Sequence, residues 1–184
     1  MIVLTGPSGA GKGTMVQELL ARISRLRLAV SATTRARRPG EVDGVHYWFI
    51  TDAEFDRRLA KGDFLEYHVF PWGQRSGTLL SELDRIAEEG DIPLLELELN
   101  GSLAVKEKVP GALTIFIDAP LDELERRLRE RATESAGEIE DRIALAAEQR
   151  RLAGLFDEVV ENDDREQAAE RCVELVEREL AACR

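Results

Sequence analysis

Apolar residues in this chain alternate between two spacings. Short continuous runs, Ile2 to Leu4, Leu26 to Val30, Ile92 onward through Leu99, Leu113 to Ile117 and Phe156 to Val160, read as buried strands. Between them apolar positions recur every three or four residues, as in Met15, Val16, Leu19 and Leu20, or Leu121, Leu124 and Leu128, which is helical spacing. Helices are predicted from about Thr14 to Ser24, through Leu79, Leu80, Leu83 and Ile86, over Ser102 to Lys108, from Leu121, over Ile139 to Leu155, and over Arg165 to Ala182. The strand that opens at Ile92 is predicted to end near Asn100-Gly101. Strands alternating with helices imply a parallel, right-handed α/β sheet covered on both faces.

The middle of the chain breaks this rhythm. Tyr47 to Ile50 is aromatic and β-branched, and Phe64 to Tyr67 is a second such run, so a small separate sheet is predicted there. Thr51 or Asp52 caps a helix between them, and Gly73 to Thr78 reads as a turn.

The first strand runs into Gly6-Pro-Ser8-Gly9-Ala10-Gly11-Lys12-Gly13-Thr14 and then into a helix. Strand, G-x-x-x-x-G-K loop and helix form a phosphate cradle. The glycines let successive backbone N–H groups aim at one anion, and the helix start adds its own unpaired N–H groups and positive dipole end. Lys12 would reach the β- and γ-phosphates of a nucleoside triphosphate. Gly13 stands where Ser or Thr is usual, so Thr14 is the nearest hydroxyl for a magnesium ion or its waters.

Composition narrows the class. At 184 residues with 43% hydrophobic and 33% charged content, the chain can bury one α/β core with a small inserted lobe. A formal charge of −11 repels a nucleic-acid backbone, so any phosphate ligand must sit in a local basic cluster. No apolar run approaches membrane-spanning length, and the chain opens on a core strand, so a cytoplasmic protein is expected, with no membrane or nucleic-acid partner. Cys172 and Cys183 are read as reduced thiols, since on one helix they would stand roughly 16 Å apart. His46 and His68 are the only histidines, which leaves no zinc site.

The chain resembles the guanylate kinase family. The likeness is carried by Gly6 to Thr14, by Val30-Ser31-Ala-Thr-Thr-Arg35-x-x-Arg38-Pro-Gly-Glu-Val-Asp-Gly-Val-His-Tyr47, and by Phe64-Leu-Glu66-Tyr and Gly77-Thr78. It continues in Arg127-Leu-x-x-Arg131-x-Thr-Glu, Arg142 and Val160-Glu-Asn162-Asp-Asp. The resemblance covers essentially the whole chain, and the arginine-to-tyrosine segment is more specific than the phosphate loop. It implies a P-loop three-layer α/β fold with a parallel central sheet (1–30, 79–125 and 143–184), a small mixed α/β acceptor-binding lobe (31–78) and a helical lid (126–142). It implies transfer of the γ-phosphoryl of ATP, with Mg2+, to GMP or dGMP, by a monomer or a homodimer.

Residue roles follow from the same resemblance. Ser8, Gly9, Ala10, Gly11, Lys12, Gly13 and Thr14 would hold the donor phosphates, with Thr14 toward the metal. Arg35 and Arg38, in a fork, would grip the acceptor phosphate with a hydrogen bond from Tyr47. Ser31 and Glu66 would read the base, because a carboxylate accepts from both N1–H and the exocyclic amine of guanine. Thr78 and Glu98 complete the acceptor set. Arg127, Arg131 and Arg142 would stabilise charge on the moving phosphoryl group, while Arg129 reads as an ordinary surface pair. Asn162 is a candidate adenine contact, at a position where a turn residue would look the same.

Two further positions depart from the family pattern. Ser76 replaces a tyrosine just before Gly-Thr, so Arg75 or Ser76 supplies that contact, or Trp72 reshapes the pocket. Glu98 stands where an aspartate usually ends the third core strand. The alternatives to be set against a guanylate kinase are a kinase of another small phosphorylated acceptor and a catalytically silent interaction module.

Overall fold

The structure is a computed structural model that describes residues 1–70, 72–130 and 136–182. Two sheets organise it. The larger has five parallel strands, β1 (Ile2–Thr5), β2 (Leu26–Leu28), β7 (Ile92–Glu96), β8 (Leu113–Asp118) and β9 (Glu158–Glu161), in the order β2-β7-β1-β8-β9. β1 is therefore central, and its carboxyl end opens between its two neighbours. Every β1 residue is buried, as expected of a parallel strand covered on both faces.

Period-two alternation divides the core. Ile2 and Leu4 face one helical layer with Ile115 and Ile117. That layer is α1 (Lys12–Arg22), through Met15, Val16 and Leu19, and α7 (Arg165–Ala182), through Ala168, Ala169, Cys172, Leu175 and Val176. Val3 and Leu95 face the other way, onto Ile86 of α3 (Leu80–Glu88) and Val105 of α4 (Leu99–Lys108). α5 (Leu121–Glu130) buries Leu124 and Leu128, and α6 (Ala136–Arg151) runs beside it. No described helix is long and apolar enough to cross a membrane. The sequence-predicted α/β class with a parallel central sheet is what the chain adopts.

The second sheet has the order β4-β3-β6-β5, from β3 (Ala32–Thr33), β4 (Trp48–Phe49), β5 (Phe64–Val69) and β6 (Arg75–Leu79). α2 (Asp52–Lys61) closes its own core with Phe55, which is fully buried and stacks on Phe64 at 4.4 Å between ring centres. Thr51 caps α2, its hydroxyl accepting from the Glu54 N–H at 3.1 Å.

Several boundaries shift by a few residues, and two differ in kind from the sequence pattern. Gly73 to Thr78, predicted as a turn, holds all but the last residue of β6, which pairs antiparallel with β5. Its polar residues carry no apolar alternation, because Arg75 leans over the Phe55 ring while Ser76 faces open space. The strand predicted to reach Asn100-Gly101 stops at Glu96, and α4 begins at Leu99 with Glu98 as its amino-terminal cap. The Glu98 carbonyl accepts from the N–H and hydroxyl of Ser102, at 3.0 and 3.1 Å, which turns the apolar residues after it into a helix.

Candidate active site

The carboxyl end of β1 runs into the loop at 6–11, and the loop into α1. Gly11 is the amino-terminal cap of α1, at φ 91°, with no side chain capping the helix. The positive end of α1 thus faces the loop without a competing side-chain acceptor. The Lys12 ammonium donates to the carbonyls of Gly6 and Pro7, at 2.8 and 3.1 Å, so it lies folded across the loop. Ser8 accepts from Arg142 of α6 at 3.0 Å. Arg127 of α5 donates to Glu123, to the Gly9 carbonyl and to the Asn162 carbonyl, the last at 2.8 Å. Two of the three sequence-predicted lid arginines therefore touch the loop directly, and Arg131 lies outside the described residues. Arg129 pairs with Glu125 on the surface.

A cavity of about 230 Å³ opens beside the loop, with Lys12, Ser31, Tyr47, Glu66, Glu96 and Glu98 in its wall. Lys12 comes from the central sheet's loop and Tyr47 and Glu66 from the small lobe, so one space joins the two sheets. Glu66 on β5 is only 5% exposed. Its Oε1 accepts from the Thr78 N–H and the Thr78 hydroxyl, at 2.9 and 2.8 Å, which orients the carboxylate. Thr78 thus acts on Glu66 rather than on the cavity. Gly101 of α4 is needed for this approach, since a Cβ there would stand 2.5 Å from Glu66 Oε2. Burial pushes the Glu66 carboxyl above its ordinary range, against the lowering pull of the Thr78 hydrogen bonds.

Arg35 is held by Glu41, its Nη1 and Nη2 donating to the two carboxylate oxygens at 3.0 and 2.7 Å. Its guanidinium lies 5.3 Å from the centre of the Tyr47 ring and 5.7 Å from that of Phe49. The Arg38 N–H closes the turn onto Glu41 Oε2 at 2.7 Å, and its side chain is exposed. Burial raises the Tyr47 hydroxyl above its ordinary pKa, and the charges of Arg35 and Arg38 oppose that rise. Arg35 thus lies against Tyr47, while neither Arg35 nor Arg38 is among the described residues that line the cavity. Glu41 is pulled down to about 2, chiefly by the Arg35 hydrogen bonds and then by the Arg38 N–H.

Three residues of this site carry no clear mark in the sequence. Glu96, the exposed last residue of β7, lines the cavity, and its Oε2 lies 3.9 Å from where a Gly13 Cβ would stand. Desolvation raises its carboxyl, the Lys12 charge lowers it and Glu98 raises it again. Glu82 of α3 is 3% exposed and accepts from the Val30 N–H at 3.0 Å, next to Ser31. His68 also lines the cavity, across the β5–β6 ladder from Ser76. The choice left open around Ser76 now narrows. Arg75 turns away to Asp52 and Asp56 and over Phe55, whereas Ser76 lines the cavity. Trp72 is 66% exposed and stacks on Phe70, which is itself a cavity residue.

Asn162 departs most from its sequence-predicted place. It is 3% exposed, and its Nδ2 donates to the Ala10 carbonyl at 2.7 Å. The side chain packs against the loop backbone instead of standing open to a base.

A glycine-rich loop and a small lobe that meet at one cavity have counterparts among known proteins. The family model described as guanylate kinase matches residues 1–179. The chain belongs to the guanylate kinase family. It is 43% identical to the guanylate kinase of Rubrobacter xylanophilus over 98% of this chain and 95% of that one. It is 42% identical to the Lactococcus lactis guanylate kinase over 97% and 87% of the two chains. The crystal structure of guanylate kinase from Anaplasma phagocytophilum superposes with a TM-score of 0.77 at 29% identity, covering 97% of this chain and 85% of that one. Membership of the guanylate kinase family makes the chain a nucleoside monophosphate kinase, a phosphotransferase of the P-loop α/β fold.

Proposed function

We propose that this chain transfers the γ-phosphoryl group of ATP to GMP or dGMP, releasing ADP and the diphosphate. The observation that supports this most strongly is the shared cavity: Lys12 of the phosphate loop stands in the same wall as Ser31, Tyr47 and Glu66. In this reading residues 31–78 form the acceptor lobe and 126–142 the lid. Ser8 to Thr14 receive the donor triphosphate. Lys12 exchanges its loop carbonyls for phosphate oxygens as the donor arrives. Arg35, Arg38 and Tyr47 receive the acceptor phosphate, and Glu41 holds the Arg35 fork in place until that dianion arrives. Glu66, fixed by Thr78, accepts from the Watson–Crick edge of guanine, with Ser31 and Glu98 beside it in the wall.

Transfer is direct and in line, without a covalent enzyme intermediate. The protein's work is positioning and charge stabilisation on the moving group. Arg127 and Arg142, already on Gly9 and Ser8, supply guanidinium charge beside the loop, and Arg131 is assigned the same role. The described residues hold no group of three His, Cys, Asp or Glu side chains that could cage a metal. A magnesium ion is bound by one or two protein oxygens and completes its shell with phosphate and water. The Thr14 hydroxyl and Glu96 would hold it, and when bound it neutralises charge on the triphosphate.

Initial rates with ATP and each of GMP, dGMP, AMP, CMP, UMP and a sugar phosphate test this reading. Turnover is expected with GMP and dGMP at least a hundredfold above the others in kcat/KM. Turnover on AMP or the sugar phosphate but not on GMP overturns it.

A further inference from the structure

Asn162 is fixed from three sides. Its N–H donates to the Asp118 carbonyl at 2.8 Å, at the end of β8, and its own carbonyl accepts from Arg127 of α5 at 2.8 Å. With the backbone held, the side chain has one hydrogen-bonding partner among the described residues, the Ala10 carbonyl, 152 residues earlier in the chain. Its Oδ1 is buried without a hydrogen bond among the described residues, so the side chain is held by what its Nδ2 does.

A trans peptide is planar, and its C=O and N–H point in opposite directions. Holding the Ala10 oxygen toward Asn162 therefore fixes the Gly11 N–H on the opposite side of the Ala10–Gly11 peptide. Gly11 has no Cβ to resist rotation of that peptide, because glycine takes positive and negative φ with similar ease. It cannot be replaced by a residue that does resist. Its φ is 91°, and a Cβ there would stand 2.4 Å from Asn162 Nδ2. The loop thus needs a glycine for its shape and a separate restraint against the flip that glycine permits. A flipped peptide would present a carbonyl oxygen, with its partial negative charge, to an anion.

We propose that Asn162 is a positioning residue of the donor site: its side-chain amide locks the Ala10–Gly11 peptide so that the Gly11 N–H is presented to the donor phosphates. This rests on the reading of the loop as the seat of the ATP phosphates, and it gives Asn162 a role independent of the donor's base. The carbonyl of the same residue holds Arg127, so loop and α5 share one post.

The test uses the full chain with Asn162→Ala and Asn162→Leu, the second retaining side-chain volume if the first fails to fold. Inorganic tripolyphosphate, a probe with no base, is titrated calorimetrically. Steady-state rates are measured with ATP and with GTP as donor. The affinity for tripolyphosphate and kcat/KM for ATP are expected to fall in parallel by about tenfold to a hundredfold, the cost of losing one buried hydrogen bond and its geometry. The ATP-to-GTP preference and KM for GMP at saturating ATP are expected to stay within twofold. Tripolyphosphate binding at the wild-type level overturns the proposal, and a simultaneous loss of donor-base preference would make Asn162 a base contact instead. A wild-type chain that neither binds tripolyphosphate nor uses ATP overturns the loop's role as a phosphate site, and this proposal with it.

Discussion

Glu66→Gln separates base reading from folding, because the structure splits the two oxygens of Glu66 between different duties. Oε1 is committed to the Thr78 N–H and hydroxyl, while the same carboxylate lines the cavity. In the variant, the two Thr78 donors hold the amide oxygen on the Oε1 side. The NH2 group then replaces Oε2, and a donor faces the N1–H and amine donors of guanine. The loss is a hydrogen bond to a charged acceptor and a guanine donor left without a partner, together about 3–4 kcal/mol. Since about 1.4 kcal/mol is a factor of ten, kcat/KM for GMP is expected to fall roughly 10²- to 10³-fold.

Folding stability should move the other way. Burial raises the Glu66 pKa above the ordinary carboxylate range, so the folded state binds the proton more tightly than the unfolded chain. The carboxylate therefore costs stability as pH rises from about 4.5 through the folded pKa. At pH 7 the glutamine variant is expected to melt at or above the wild-type temperature, and below the unfolded-state pKa the two should converge. Initial rates with GMP and AMP, together with calorimetric melting at pH 4 and pH 7, measure both halves. Wild-type kcat/KM for GMP within threefold would refute the base-reading argument. A large drop in melting temperature at pH 7 would show that the carboxylate is structural.

Lys12→Ala is expected to lower kcat by about 10²-fold or more. Its thermal unfolding should change little, since Lys12 gives up hydrogen bonds to two loop carbonyls that water can replace; retained turnover would remove Lys12 from the chemistry. The Glu41 carboxyl, held down to about 2 first by Arg35, should keep its ion pair through mild acid. Its contribution is present above the unfolded-state pKa and is lost as pH falls through about 2, which an NMR titration of its carboxyl carbon follows; a midpoint near 4.5 would mean that Arg35 is not bound to it in solution. Phe55→Ala removes a fully buried ring stacked on Phe64 and is expected to cost about 3–5 kcal/mol, read by denaturant unfolding; a cost under 1 kcal/mol would mean the lobe core repacks freely.

What could be read along the chain was local in it. The phosphate loop lies within nine consecutive residues, Gly6 to Thr14, and its chemistry follows from glycines, a lysine and the helix start that come next to one another. Arg35, Arg38 and Tyr47 are nearly as close in sequence, and Glu41 of the same segment holds the Arg35 side chain and the Arg38 N–H. The parallel α/β class followed from spacing alone, because strands buried on both faces must be continuously apolar.

Tertiary structure decided the rest. β6 was hidden because Arg75, Ser76 and Gly77 answer to an ion-pair network on one side and to a cavity on the other, so no apolar alternation survives. Glu96 and Glu98 look alike in Glu-Leu-Glu, and only the start of α4 at Leu99 makes one the end of a strand and the other a helix cap. Asn162 reads as a turn residue until β9 is laid beside β8, which brings its amide to the Ala10 carbonyl. Hydrophobic periodicity reports which face of an element is buried and nothing of which polar atom waits opposite. A hydrogen bond between residues 152 positions apart is set only when strands choose their neighbours.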